Sequence, residues 1–260
     1  MSNKKQMFKE KRILLIVSLL ILTILVIFFL PDRRKQIKSE HFTFKFSQSI
    51  NTSKIFELAN SLETNYAKIG NDLKTSPSNN IEVNLYAQRW RYVKATGHWS
   101  ASGNIEGISK LHFVDQAWGE TDSKKVAVHE FAHTVTLKLL VDNEIQPLDF
   151  KAFDKKFPTF PTWLWESISV YEADQLIDPR TLPFLNNGSY PNISELNTRS
   201  NGGKIYKVGY TVIEFILYRY GQEKLIQLVK NYGDLSKTLG VTDDQFCKDW
   251  YDFVKQKYLR

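Results

Sequence analysis

Cysteine is nearly absent from this 260-residue chain, which contains Cys247 alone. A single thiol cannot form an intrachain disulfide, so cysteine usage gives no indication of an oxidising compartment. Cys247 also lies far from the N-terminal apolar segment, which excludes it as a lipid-attachment cysteine that follows a signal peptide. We expect it to be a small apolar residue within a helix.

An excess of charge is missing from most of the chain. The formal net charge of +7 comes from residues 1–38, which hold nine basic and two acidic residues. Residues 39–260 hold 26 basic and 26 acidic side chains. The globular part therefore has no overall electrostatic attraction for phosphate, and nucleic acid is not expected as a partner.

Charged residues are also missing from residues 13–30, an apolar run interrupted only by Ser18 and Thr23. As a helix this run would extend about 27 Å, enough to cross the hydrocarbon core of a bilayer. A cleaved signal peptide has the same basic front and apolar core. However, no small-x-small cleavage site follows Leu30, so we prefer an uncleaved anchor.

Basic residues number five before this run and four after it. The slight excess favours an N-terminus inside the cell, which predicts a single-pass protein of the cell membrane. The predicted organisation is a basic tail (1–12), a transmembrane anchor (13–30), a basic linker (31–38) and one domain outside the cytoplasm (39–260). That domain is large enough to bury one large core or two small ones.

Strands are predicted early in this domain and helices later. Residues 41–46 and 81–86 alternate apolar and polar side chains, and residues 108–114 have strand composition. Apolar positions three and four residues apart predict a helix over residues 55–73. Residues 95–107 are rich in Gly, Ser and Ala and indicate a turn region. Helices dominate the second half, so the predicted fold class is α+β.

An H-E-F-A-H motif occupies residues 129–133, although the chain has only five histidines. Positions i and i+4 of a helix share one face, so His129 and His133 would direct two neutral nitrogen ligands to one point. Glu130 would reach a water molecule on a metal held there. The alternative is a buried helix that carries two hydrogen-bonded histidines.

Catalytic zinc sites have three protein ligands, so a third donor is needed. A third histidine six residues after His133 is excluded, because that position is Leu139 and Thr136 replaces the glycine that would precede it. A ligand about twenty residues after His133 is excluded too, because Ala152 and Phe153 cannot bind a metal.

Glu166 is the next strong candidate. It lies among tryptophans and aliphatic residues, and a lone carboxylate there would be costly to bury unless it pairs with a cation or metal. The alternative is that Glu166 faces solvent. Glu144 and Asp154 are weaker candidates, because they lie in loop-like sequence.

The H-E-x-x-H motif and the segment P-T-W-L-W-E-S-I-S-V-Y at 161–171 together resemble the gluzincin metallopeptidases, in particular the peptidase MA-like group. Members of this group carry P-x-W-L-x-E-G-x-A-x-Y after H-E-x-x-H. The resemblance extends over about residues 39–230. It implies a zincin-like, thermolysin-type catalytic domain with an N-terminal mixed sheet and a helical C-terminal part.

The resemblance also implies a metal site with one zinc ion per chain. His129, His133 and Glu166 would hold the zinc, and Glu130 would be the general base. Two positions depart from the family pattern. Ser167 replaces the usual glycine, and Val170 stands where thermolysin-like enzymes have a carboxylate that supports a zinc-binding histidine. The residues that support the metal ligands are therefore unassigned.

The segment Tyr206-Lys-Val-Gly-Tyr210 resembles the Tyr-x-x-Gly element that supplies a transition-state tyrosine in aminopeptidase gluzincins. We expect Tyr206 to stabilise the oxyanion, with Tyr210 as second candidate. The alternative is a tyrosine packed on an amphipathic helix. His98 and His112 are weaker candidates for substrate contact. In zincins the strand before the metal-binding helix lies along the peptide substrate. In this sequence that strand is residues 108–114.

The leading hypothesis is a membrane-anchored zinc metallopeptidase that acts on peptides or proteins outside the cytoplasm. The Gly-x-Met-Glu-Asn element of aminopeptidases is missing, which slightly favours an endopeptidase. A second hypothesis is a catalytically silent zincin-fold module with a binding or regulatory role at the membrane surface; the intact Glu130 counts against it. A third is a membrane-tethered structural protein without metal.

Overall fold

A computed structural model of the protein describes residues 11–23, 32–115, 122–198 and 203–259. The chain divides into two compact units, Met1–Arg34 and Lys35–Arg260. The sheet and all helices that carry the candidate site belong to the second unit.

The first unit contains part of the predicted membrane anchor. Residues 11–23 are helical, whereas residues 24–30 of the predicted span lie outside the described residues. Among the helices that are described, none combines the length and the apolar character that a membrane crossing requires. The anchor of residues 13–30 therefore stays a prediction.

The second unit has a five-stranded mixed sheet with strand order β1-β2-β3-β5-β4. The strands are β1 (Arg34–Lys38), β2 (Phe42–Ser47), β3 (Ile81–Tyr86), β4 (Gly103–Glu106) and β5 (Lys110–Val114). β3 is parallel to both β2 and β5, and β4 is antiparallel to β5. The predicted α+β class, with an N-terminal mixed sheet, is confirmed. Residues 34–38, predicted as linker, form the outer strand β1.

Eleven helices accompany the sheet in the described part of this unit. They are α1 (Thr52–Asp72), α2 (Arg89–Thr96), α3 (Ser123–Asp142), α4 (Phe150–Lys156), α5 (Thr162–Glu172), α6 (Pro183–Asn186), α7 (Ile193–Leu196), α8 (Lys204–Tyr220), α9 (Gln222–Lys230), α10 (Leu235–Leu239) and α11 (Asp243–Tyr258). The predicted helical C-terminal part is thus present.

One part of the core lies between the sheet and the helices α1 and α3, and the same core continues among α5, α8, α9 and α11. Phe42, Phe44 and Phe46 alternate along β2 and are all buried, as the two-residue period of a strand requires. The ring of Phe131 on α3 meets Phe42 edge-on, with centroids 5.4 Å apart. This packing places the H-E-F-A-H turn of α3 directly against the sheet.

Helix α3 is an interior helix. Asp122 caps it by accepting a hydrogen bond from the backbone N–H of Lys124. Residues 127–137 are all buried except Glu130. The helix is therefore enclosed by the core on most of its sides, and both motif histidines have little exposure to solvent.

Helices α5 and α8 approach each other closely where Ser167 faces Gly209. A Cβ atom on Gly209 would lie 3.0 Å from Cα of Ser167, closer than ordinary van der Waals contact. Gly209 on α8 therefore leaves room for the side chain of Ser167, which stands where the peptidase MA-like pattern has a glycine on α5. This contact also fixes α8 one turn beyond Tyr206.

Candidate metal centre

Helices α3 and α5 bring the three predicted ligands together. His129, His133 and Glu166 are 9%, 5% and 4% exposed, and their ligand atoms all lie within 4.8 Å of one another. Nε2 of His129 is 3.3 Å from Oε2 of Glu166, and Nε2 of His133 is 3.6 Å from the same oxygen. Glu166 is thus not a solvent-facing residue. Glu144 pairs with Lys156 instead and takes no part in the cluster.

The helical spacing places the two imidazoles on one face of α3, with ring centroids 4.7 Å apart and planes nearly perpendicular. The indole of Trp165 stacks in parallel on His133 at 4.4 Å. Trp165 therefore fixes the ring plane of His133, and its neighbour Glu166 faces the two Nε2 atoms.

The outward-facing nitrogens of both rings have side-chain partners. Nδ1 of His129 lies 2.9 Å from Oε1 of Gln175, and Nδ1 of His133 lies 2.7 Å from Oγ of Ser169. An amide oxygen only accepts hydrogen bonds, so Nδ1 of His129 carries a proton. In the neutral ring, the lone pair is then on Nε2, which points to Glu166. This donor set of two imidazole nitrogens and one carboxylate oxygen fits a catalytic zinc ion.

Ser169 and Gln175 contact the two histidines at the nitrogens that face away from Glu166. Val170, at the position where thermolysin-like enzymes have a supporting carboxylate, cannot make such a contact. Ser169 lies three residues after Glu166 on α5 and so shares its face, a signal that the sequence contains. Gln175 follows the end of α5, where helical periodicity no longer applies. No sequence pattern identifies it.

The electrostatics of the cluster favour a bound cation. Burial raises the pKa of Glu166, but hydrogen bonds with His129 and His133 outweigh it and hold that pKa far below its ordinary value. Burial lowers the pKa of His129, but Glu166 and the charge of Glu130 outweigh it and raise that pKa. Both directions mean that this buried position stabilises positive charge beside carboxylates.

A cavity of about 390 Å³ opens over the cluster, and Glu130 lines it together with all three candidate ligands. Strand β4 passes directly over Glu130. A Cβ atom at Gly103 would lie 2.6 Å from Cγ and 2.7 Å from Oε1 of Glu130. Only glycine leaves room for this carboxylate, so the strand fixes where Glu130 stands.

The structure distinguishes between the two tyrosine candidates. Tyr206 lines the cavity and is 37% exposed. Tyr210 is not among the residues that line the cavity, and its ring packs against Tyr171 with centroids 4.9 Å apart. Tyr206 is thus the tyrosine of this segment that a substrate in the cavity would meet.

The two histidines predicted as weaker candidates for substrate contact have different surroundings. His98 lines the cavity. His112 is buried in β5, between the hydroxyl of Tyr86 at 3.1 Å and the carboxylate of Glu106 at 3.2 Å. Burial lowers the pKa of His112. His112 therefore belongs to the sheet, and a substrate contact by its side chain is not supported.

The prediction that residues 108–114 lie along a substrate is wrong. Strand β5 in this segment pairs with β3 on one side and β4 on the other, so its backbone groups are already used. The outermost strand on this side, within the described chain, is β4, which was predicted as part of a turn region. Gly103, Asn104 and Ile105 of β4 line the cavity.

The chain matches no protein-family model and no curated protein. Among solved structures it is similar to the crystal structure of a mutant M1 zinc metallopeptidase from Deinococcus radiodurans. The two share 10% sequence identity with a TM-score of 0.47. The match covers 85% of this chain and 52% of the other, so this chain spans about half the length of that protein.

Proposed function

We propose that this protein is a zinc-dependent peptidase of the gluzincin type, anchored in the cell membrane by residues 13–30. The observation that carries the proposal is the buried cluster of His129, His133 and Glu166 at the floor of an open cavity, with Glu130 beside it. Three buried titratable groups facing one point are costly to fold unless a cation joins them.

The proposed reaction is hydrolysis of a peptide bond. A zinc ion held by the three ligands would lower the pKa of a bound water and polarise the scissile carbonyl. Glu130 acts as general base: its carboxylate takes a proton from the attacking water and delivers it to the leaving amine. The hydroxyl of Tyr206 donates a hydrogen bond to the oxyanion that forms on the carbonyl oxygen.

The substrate backbone is proposed to lie along β4. An outer strand offers unpaired backbone groups that an extended peptide can use. Gly103 at the start of this strand lies over Glu130, so a peptide there would pass the general base. The Gly-x-Met-Glu-Asn element that selects a free N-terminus in aminopeptidases is missing, which favours an endopeptidase.

A silent zincin-fold module is the second candidate. Such a module would keep the three ligands but would have no need of Glu130. The presence of Glu130 at the cavity wall, opposite Gly103, which leaves room for it, therefore counts against this candidate. A metal-free structural protein is a weaker candidate, because the buried charge of Glu166 would then be compensated only by imidazoles that are themselves buried.

The test uses the full-length chain, purified in detergent, with metal analysis and a peptide-library cleavage assay. We expect one zinc per chain, its loss in His129→Ala, and cleavage that falls about 100- to 10,000-fold in Glu130→Gln while zinc is retained. Absence of zinc from wild type would refute the proposal. Zinc binding without any cleavage would favour the silent module.

A further inference from the structure

The two imidazoles of the candidate centre are supported by neutral side chains. We propose that Ser169 and Gln175 are positioning residues, which hold His129 and His133 with both Nε2 lone pairs toward Glu166. We further propose that these neutral partners hold the zinc affinity below what a carboxylate partner would give. This inference rests on the proposed function.

The place of Gln175 is determined by the way α5 ends. Asp174 has a left-handed backbone conformation, with φ of 50°. The N–H of Asp174 donates to the carbonyl of Tyr171, and the N–H of Gln175 donates to the carbonyl of Val170, both at 3.0 Å. This pair of hydrogen bonds is a Schellman motif. It reverses the chain at the end of α5 and directs Gln175 back to His129.

A second contact from α3 holds the same turn. Lys125 donates a hydrogen bond to the backbone carbonyl of Asp174, and its ammonium lies 3.5 Å from the Asp174 carboxylate. Lys125 precedes His129 by one helical turn. The turn after α5 is therefore attached to α3 at two points, and Gln175 has little freedom to leave the ring.

Ser169 supports the second imidazole from within α5. It is fully buried, and its hydroxyl meets Nδ1 of His133 at 2.7 Å. The neighbouring Val170 is 1% exposed and packs in the core, so position 170 cannot provide the acceptor. One turn of α5 thus supplies a ligand, Glu166, and the support for another ligand.

The chemical nature of these partners has a consequence for metal binding. A carboxylate that accepts from Nδ1–H makes the imidazole more basic and a stronger ligand, whereas an amide or hydroxyl oxygen polarises it less. Substitution of Gln175 by glutamate should therefore strengthen zinc binding. Removal of either partner should weaken it, because the ring loses its fixed orientation.

The experiment measures the zinc dissociation constant of the full-length chain by competition with a chromophoric chelator. We expect Ser169→Ala and Gln175→Ala to weaken binding about 10- to 100-fold, and Gln175→Glu to bind zinc more tightly than wild type. Ser167→Ala is the matched control. Ser167 is a buried serine on the same helix, and its hydroxyl has no hydrogen-bond partner in the described residues.

The visible spectrum of the cobalt-substituted protein is the second readout. Its ligand-field bands should change in Ser169→Ala and Gln175→Ala and stay as in wild type in Ser167→Ala. Gln175 lines an open cavity, so its variants are expected to fold even where Ser169→Ala does not. Equal zinc affinity and equal spectra in wild type and both Gln175 variants would overturn this inference alone. A wild type that binds no zinc would overturn the proposed function as well.

Discussion

A side chain at position 103 would compete with Glu130 for the same space. We predict that Gly103→Ala lowers kcat/KM for peptide cleavage about 100-fold, because a displacement of about 1 Å of the general base has effects of this size. Zinc content should stay at the wild-type level, because the three atoms nearest to an added Cβ at position 103 all belong to Glu130 and none belongs to a ligand. Cleavage at the wild-type rate would show that Glu130 tolerates the added methyl group and is not fixed by β4.

Tyr206 and Tyr210 form a matched pair, one turn apart on α8. Tyr206→Phe should lower kcat about 100- to 1,000-fold with little change in zinc affinity, because it removes a hydrogen-bond donor to the oxyanion. Tyr210→Phe should cleave like wild type, because Tyr210 packs on Tyr171 away from the cavity lining. Steady-state kinetics on one cleaved peptide compares them. If Tyr210→Phe lost activity and Tyr206→Phe did not, Tyr210 would be the residue that stabilises the oxyanion.

Several site residues could be predicted from the sequence around them. His129 and His133 follow from the i, i+4 spacing, and Glu166 follows from the cost of burying a lone carboxylate among apolar residues. Gln175 could not be predicted, because a left-handed residue after the helix end brings it to His129. Gly103 could not be predicted either, because its importance depends on a close approach between a strand and a helix.

At the scale of secondary structure, α5 carries a buried carboxylate outside the metal cluster. Glu172 is 5% exposed and accepts a hydrogen bond from Lys68 of α1 at 2.6 Å. Burial raises the pKa of Glu172 from 4.5 to about 7, although Lys68 acts in the opposite direction. A folded-state pKa above the unfolded one stabilises the fold below pH 4.5, and this contribution is lost as the pH rises through about 7.

We therefore predict that wild type loses more stability than Glu172→Gln between pH 5 and about 8, by on the order of 3 kcal/mol. Urea unfolding of both proteins across this range measures the difference. The two curves should differ most in slope between about pH 5 and 7 and become parallel above about pH 8, where Glu172 is ionised in both the folded and the unfolded state. Parallel curves at all pH values would mean that Lys68 fully compensates the burial of Glu172.

Strands differ in how well their sequences predict them. β2 and β3 alternate apolar and polar residues over most of their length, so the sequence identifies them as strands, although Asn84 of β3 is also buried. β4 has only the four residues Gly-Asn-Ile-Glu, which carry no such period. It becomes a strand through pairing with β5, from Gly103 opposite Phe113 to Glu106 opposite Lys110. Tertiary pairing outweighs local composition there.

For the whole molecule, the sequence predicts a membrane topology with the second unit outside the cytoplasm. The natural chain suits cysteine labelling, because Cys247 is 2% exposed and burial raises the pKa of its thiol to about 11. We predict that Ser189→Cys, on an exposed loop of the second unit, reacts with a membrane-impermeant maleimide in intact cells. Ser2→Cys should react only after permeabilisation. If Ser2→Cys alone reacted in intact cells, the orientation would be the opposite of the predicted one. Wild type, whose Cys247 is buried, is the control.

The cluster of His129, His133 and Glu166 joins two helices that are far apart along the chain. A metal ion bound there would act as a cross-link that closes the loop of residues 143–161, where Ile145 is 90% and Phe150 71% exposed. Binding to the folded state alone adds about 4 kcal/mol to stability when free metal exceeds its dissociation constant about 1,000-fold. A molecule that loses its zinc would then lose catalytic activity and its resistance to proteolysis together, so inactive copies would be the first to be degraded.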